Sequence, residues 1–113
     1  MEITVAQQGS VAVVSLIGVV DALAAEQVGN ALSAQVKDGK TRLVADFSRV
    51  DTINSVGLRA LVQTQKDIHR KGGDFRLAGI RPSVRKALEI TGLTSLFKVY
   101  PDVEAAVASF AAP

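Results

Sequence analysis

No cysteine occurs among the 113 residues. That excludes a disulfide scaffold, thiol catalysis and cysteine-ligated zinc, and it is compatible with a reducing compartment. Tryptophan is absent too, and four Phe and one Tyr are the only aromatics. With so few rings, a surface that reads nucleic acid by stacking on its bases is hard to build. One histidine, His69, is too few for a histidine metal cluster. Thirteen basic residues against eleven acidic ones leave a net charge of +2, which alone indicates no polyanionic partner. No stretch approaches the roughly 20 apolar residues needed to cross a bilayer. The opening Met1-Glu2-Ile3-Thr4-Val5 has no basic region followed by an apolar run, so no signal peptide is expected. These absences lead to an expectation of a cytoplasmic chain with no membrane span and no direct nucleic-acid contact.

What is present is apolar: 48% of the residues, enough for a sizeable core in one domain, expected to span residues 1–113. Residues 2–7 alternate apolar and polar, as a half-buried strand does. Gln8-Gly9-Ser10 has turn chemistry, and the β-branched run from Val11 to Val20 follows, so the two strands are expected to form an antiparallel hairpin. After Asp21, a candidate helix N-cap, the period changes. Ala24, Val28, Ala31, Leu32, Gln35 and Val36 fall near helical spacing, and Asp38-Gly39-Lys40 stops the segment. Leu43 to Phe47 is a short apolar run suited to a central strand buried on both faces.

A polar turn is expected over Ser48 to Asn54, anchored by Ile53. The next helix carries Leu58, Leu61, Val62, Gln65 and Ile68 on one stripe and ends at Gly72-Gly73. Phe75 to Ala78 reads as a strand, and Pro82 opens a helix with Val84, Ala87 and Leu88 inward, closed by Gly92. A short strand near Val99 and a helix begun by Asp102, with Val103, Val107 and Phe110 inward, complete the chain. The order is β-β-α-β-α-β-α-β-α. Alternating strands and helices imply an α/β fold: a mixed sheet with an antiparallel hairpin first, parallel strands after it, and about four helices.

The segment richest in functional signal runs from Asp46 to Leu61, where a buried strand leads through polar residues into a helix starting at Asn54 or Ser55. The first turn of a helix has N–H groups without intrahelical partners and about half a positive charge. A hydroxyl there can cap the helix, and a phosphate on it would occupy a natural anion site. Either Asn54 or Ser55 can be an ordinary N-cap. Gly57 is expected to keep the surface open for a close approach.

The pattern Asp46-Phe47-Ser48-x-Val50-x-x-Ile53-Asn54-Ser55-x-Gly57-Leu58 resembles the signature of the anti-sigma factor antagonists and their relatives, the STAS domains, and the element order extends the likeness over nearly the whole chain. The resemblance implies a single STAS-like domain that works by binding a partner and switching partners. It makes Ser55 a phosphorylation site for an anti-sigma factor serine kinase, reset by a serine phosphatase; the unphosphorylated form would sequester the kinase and so regulate transcription. Asp21, at the end of Gly18-Val19-Val20-Asp21, resembles the family's acidic residue near the phosphosite. Asp21, Asn54, Ser55, Val56, Gly57, Leu58 and Arg59 are then the partner-binding residues. Two positions depart from the family: Asn54 where Asp is usual, and Val56 where a small or hydroxyl residue is frequent. Asn keeps the capping geometry and lacks the charge.

Elsewhere the signals are weaker. His69 is read as a solvated residue, and Asp46 either as a structural turn acid or as a working part of the motif. Lys66, Arg70, Lys71, Arg76, Arg81, Arg85 and Lys86 against Asp67 and Asp74 form a basic stretch. They are either solvated helix faces or a docking face for an acidic partner, a nucleotide phosphate or anionic lipid. No histidine lies near a nucleophile, and there is neither a Gly-rich phosphate loop nor a pair of metal carboxylates. No enzyme activity, cofactor or metal is therefore expected. The alternatives are a constitutive STAS scaffold or transport-complex subunit without phosphorylation, and a small-ligand or nucleotide-binding STAS domain. The Ala-rich C-terminal helix can contribute to dimerisation, and a monomer or weak dimer is expected.

Overall fold

A computed structural model describes residues 1–111; the last two residues of the expected 1–113 domain lie outside the described residues. The elements are β1 (Glu2–Gln8), β2 (Val11–Val20), α1 (Ala22–Lys37), β3 (Arg42–Ile53), α2 (Ser55–Arg70), β4 (Asp74–Ala78), α3 (Pro82–Ile90), a 3-10 turn (Thr94–Leu96), β5 (Val99–Tyr100) and α4 (Val103–Ser109). They form one five-stranded sheet in the order β1-β2-β3-β4-β5, with β1 antiparallel to β2 and every other pair parallel. This is the mixed α/β sheet and the element order expected from the sequence.

Side-chain alternation divides the sheet into two faces. Ala12, Val14 and Leu16 of β2, Leu43, Ala45 and Phe47 of β3, and Phe75 and Leu77 of β4 pack with Val28 and Leu32 of α1, Leu61 and Ile68 of α2, and Val84 and Leu88 of α3. On the other face Val11, Val13, Val44 and Ala78 pack against Ala106 of α4, with Tyr100, Val103, Val107 and Phe110 around them. Cover on both faces explains why the central strands read as apolar runs.

The largest difference from expectation is in β3. The polar stretch 48–53 is strand rather than turn: Arg49, Val50 and Ile53 pair with Ile17, Gly18 and Val20, with two register shifts along the way. The shifts let Val50 and Ile53 face the core while Ser48, Arg49, Asp51 and Thr52 stay exposed. Gly18 adopts φ +126° at this irregularity, a conformation open chiefly to glycine. β4 ends at Ala78, opposite Asp46, so the rest of β3 lacks that neighbour. The start of α3 serves instead. Arg81 Nε donates to the Ser48 carbonyl at 2.9 Å, the Arg81 guanidinium pairs with Asp51, and the Ser83 hydroxyl donates to the Asp51 carbonyl.

A buried side chain does similar service for β4. β5 reaches only Leu77 and Ala78, which would leave the Phe75 backbone groups on that side unpaired. The Gln65 amide takes both: Phe75 N–H donates to Oε1 at 3.0 Å, and Nε2 donates to the Phe75 carbonyl at 3.1 Å and to the Leu96 carbonyl at 3.0 Å. Gln65, placed on the apolar stripe of α2 by its spacing, acts as one more rung of the sheet.

Candidate functional site

Parallel strands deliver their following helices to the same end of the sheet. At that end β2 and β3 finish side by side, with Val20 opposite Ile53, and the Asn54 N–H donates to the Val20 carbonyl at 3.1 Å. The N-termini of α1 and α2 therefore start from adjacent, mutually tied positions.

Each helix has a side-chain cap. Asp21 Oδ1 accepts from the Ala24 N–H at 2.9 Å, and Asn54 Oδ1 accepts from the Gly57 N–H at 2.8 Å. The cap of α2 is thus Asn54, which settles the choice that the sequence left open between Asn54 and Ser55. Ser55 is the first helical residue and is exposed. Its hydroxyl stands where α2 exposes unpaired N–H groups, and the first turn contains no acidic side chain.

The remaining residues of the motif divide by burial. Val56 is 46% exposed, and Arg59 is exposed four residues on from Ser55, on the same helical face. Gly57 and Leu58 are buried, so they support the surface from beneath. The reason expected for Gly57, an opening for a close approach, gives way to a packing one. A Cβ at Gly57 would lie 2.8 Å from both Ile53 Cγ1 and Val20 Cγ1. Glycine lets the first turn of α2 sit directly on the strand ends, and this holds Ser55 and Val56 at their height above the sheet.

Two neighbours were missed in the sequence. Val19 is 48% exposed and Leu23 is 68% exposed, beside Asp21 at the start of α1. Leu23 falls outside the helical stripe of Ala24, Val28, Ala31 and Leu32, and that off-stripe position was the available signal. Together with Val56 these two give the helix-start end an apolar surface, and a shallow groove between α1 and α2, lined by Ala25, Val56, Arg59, Ala60 and Gln63, extends it.

The other singled-out residues are structural. Asp46 Oδ1 accepts from the Ser48 N–H at 3.0 Å, within the strand. Four of the seven cations of the basic stretch make internal bonds: Arg70 pairs with Asp67, Arg76 with Asp74 and Arg81 with Asp51, and Lys71 Nζ donates to the Val36 carbonyl. His69 is exposed, as read, and lies 3.0 Å through Nε2 from Asp74 Oδ1. Burial works to raise the Asp74 carboxyl. The hydrogen bonds from Arg76 and His69, and their charges, outweigh it and hold the group below its usual value. Among the described residues no helix is long and apolar enough to cross a membrane.

Comparison with known proteins agrees with the geometry. The family model of the STAS domain matches residues 2–106. The Bordetella bronchiseptica protein BtrV, which carries the name of an anti-sigma factor antagonist, is 37% identical over 110 residues, covering 97% of this chain and 95% of its own. The crystal structure of an anti-sigma factor antagonist from Mycobacterium paratuberculosis superposes with a TM-score of 0.89 at 31% identity, covering 98% of this chain and 94% of that one. The Bacillus protein SpoIIAA in its phosphorylated form shares the fold at a TM-score of 0.76 and 21% identity, with 96% and 99% of the two chains covered. Sequence and fold agree, and the chain belongs to the STAS domain family.

Proposed function

We propose that this protein is an anti-sigma factor antagonist, a protein-binding switch that engages an anti-sigma factor through the end of the sheet where α1 and α2 begin. The observation that carries this reading is the division of labour at the start of α2. Asn54 does the capping, which leaves the Ser55 hydroxyl exposed at a helix N-terminus beside Val19, Leu23 and Val56. Exposed apolar side chains at the same end of the sheet as a small polar group have the composition of a docking surface, and nothing in it is arranged for bond-breaking chemistry. Asp21, Asn54, Ser55, Val56 and Arg59 are its contact and capping residues, with Gly57 and Leu58 beneath. The names of its similar relatives support the anti-sigma factor as the partner.

The regulator of this surface is phosphorylation of Ser55 by the anti-sigma factor acting as a serine kinase, reversed by a serine phosphatase. A phosphoserine carries about −1.5 to −2 charges near neutral pH. The dipole of α2 accommodates that charge, so its effect falls on the interface, where a dianion meets a surface fitted to a hydroxyl. Every 1.4 kcal/mol or so of desolvation and steric conflict is tenfold in affinity. The test is titration calorimetry against the cognate anti-sigma factor, with intact mass measured after incubation with ATP. The expected result is that Ser55→Ala binds as the wild type does and accepts no phosphate, while Ser55→Asp does not bind. Equal binding by the two variants removes the switch. Binding without any phosphate on the wild type leaves a constitutive scaffold.

A further inference from the structure

We infer that β1 is a self-pairing edge, through which two copies of this chain associate into one continuous sheet related by a two-fold axis at Val5. The argument begins at the hairpin turn. Gly9 has φ +60°, and no non-glycine residue, Ser10 included, has positive φ among the described residues. That is the two-residue turn with glycine first. Such a turn makes Gln8 and Val11 a hydrogen-bonded pair, and the register runs from there to Glu2 opposite Ile17 without a shift. Alternation then turns the backbone groups of Gln8, Ala6, Thr4 and Glu2 inward to β2. Those of Ile3, Val5 and Gln7 point outward from the sheet edge, where β1 is the terminal strand.

The outward set is centred on Val5. An antiparallel second copy placed on the two-fold axis there sets Val5 opposite Val5 and Ile3 opposite Gln7, and every outward N–H and C=O finds a partner. The side chains agree with this register. Glu2, the only charge on the strand, falls opposite Gln8 of the second copy and faces no like charge. Val5, 48% exposed in the isolated chain, meets its own copy. Apart from the charge of Glu2 at its start, the devices that ordinarily blunt an edge are missing: residues 2–8 contain no Lys, no Pro and no bulge. The partner that fits this strand best is therefore itself. Strand pairing alone buries less than a standard interface, so the dimer is weak and concentration-dependent. The axis sends the Ser55 ends of the two copies in opposite directions and leaves both open.

Sedimentation equilibrium over a concentration series tests this, with the full chain and three β1 variants. The wild-type mass is expected to rise from monomer toward dimer with concentration. The Val5 N–H points away from β2, so Val5→Pro removes the intermolecular donor without taking a hydrogen bond from the β1-β2 ladder, and it stays monomeric with the wild-type circular dichroism. Val5→Lys and Val5→Glu, each placing like charges face to face at the axis, are monomeric alone, and an equal mixture of the two recovers the dimer. A wild type that remains monomeric throughout overturns the inference. So does a Val5→Lys chain that associates as the wild type does, or a charge-swapped mixture that fails to recover association while both variants keep the wild-type circular dichroism.

Discussion

At the scale of single residues, the site depends on what lies under it as much as on what it shows. Ser55 and Val56 are presented by a helix turn whose height is fixed at Gly57, where a Cβ would press on Val20 and Ile53 at 2.8 Å. Gly57→Ala is therefore expected to lower stability by about 1–3 kcal/mol, the usual range for overpacking a core. It should also weaken partner binding although its own side chain never reaches the surface; urea denaturation and titration calorimetry read the two effects separately. Asn54 makes a sharper pair of predictions. Asn54→Ala removes the acceptor for the Gly57 N–H and should cost about 1 kcal/mol. Asn54→Asp keeps the acceptor and adds a favourable charge at the N-terminus, for a gain of about 0.3–1 kcal/mol. The Asp21 cap was legible in the sequence, whereas the cap of α2 was narrowed only to Asn54 or Ser55, because both are residue types that start a helix. The packing role of Gly57 was not legible, since its contacts come from a strand 37 positions earlier in the chain as well as from Ile53 nearby.

At the scale of elements, short strands are completed by side chains from elsewhere. Gln65 stands in for the part of β5 that is missing beside Phe75. Gln65→Leu keeps the apolar packing and leaves a buried N–H and C=O without partners. At about 1–3 kcal/mol per stranded group, at least about 2 kcal/mol should be lost, and the Phe75 amide should exchange its hydrogen faster. The helical period revealed that Gln65 faces inward; its strand-like role depends on the length of β5, which no local pattern encodes. The same limit explains β3. Its pairing slips twice against β2, so the period of two breaks where the strand continues, and polar residues there read as a turn.

Asp74 joins three elements, because His69 belongs to α2 and Arg76 continues from β4 to Ser109 and the Phe110 ring at the end of α4. Its carboxyl is held below the ordinary 3.8 in the fold. The charged form therefore stabilises the native state fully above about pH 4, and that contribution is lost as pH falls through the depressed native value. Thermal melts of wild type and Asp74→Asn should differ most above pH 4 and converge in acid.

At the scale of the whole molecule, the hairpin, the parallel strands and the helices that cover both faces make a framework that the proposed binding end does not need to alter. The order of elements was legible because the hydrophobic period changes abruptly at Asp21 and again at Asn54. The proposed binding surface was legible in part: Ser55 stood out, whereas Val19 and Leu23 join it only when β2 and α1 are set beside α2. If binding is switched at Ser55 through the interface alone, stability and affinity must respond differently to the same substitution. A negative charge at the first position of α2 sits at the positive end of a 16-residue helix whose first turn carries no acid. That placement is stabilising by about 0.3–1 kcal/mol, which for a domain of this size raises the melting temperature by a few degrees at most. Ser55→Asp is thus expected to melt at or slightly above the wild type and to keep its hydrogen-exchange protection across β2, β3 and α2, while partner binding disappears. A variant that loses binding together with protection in α2 would instead mean that the charge unfolds the helix start, and the switch would then act by local disorder rather than at an intact surface.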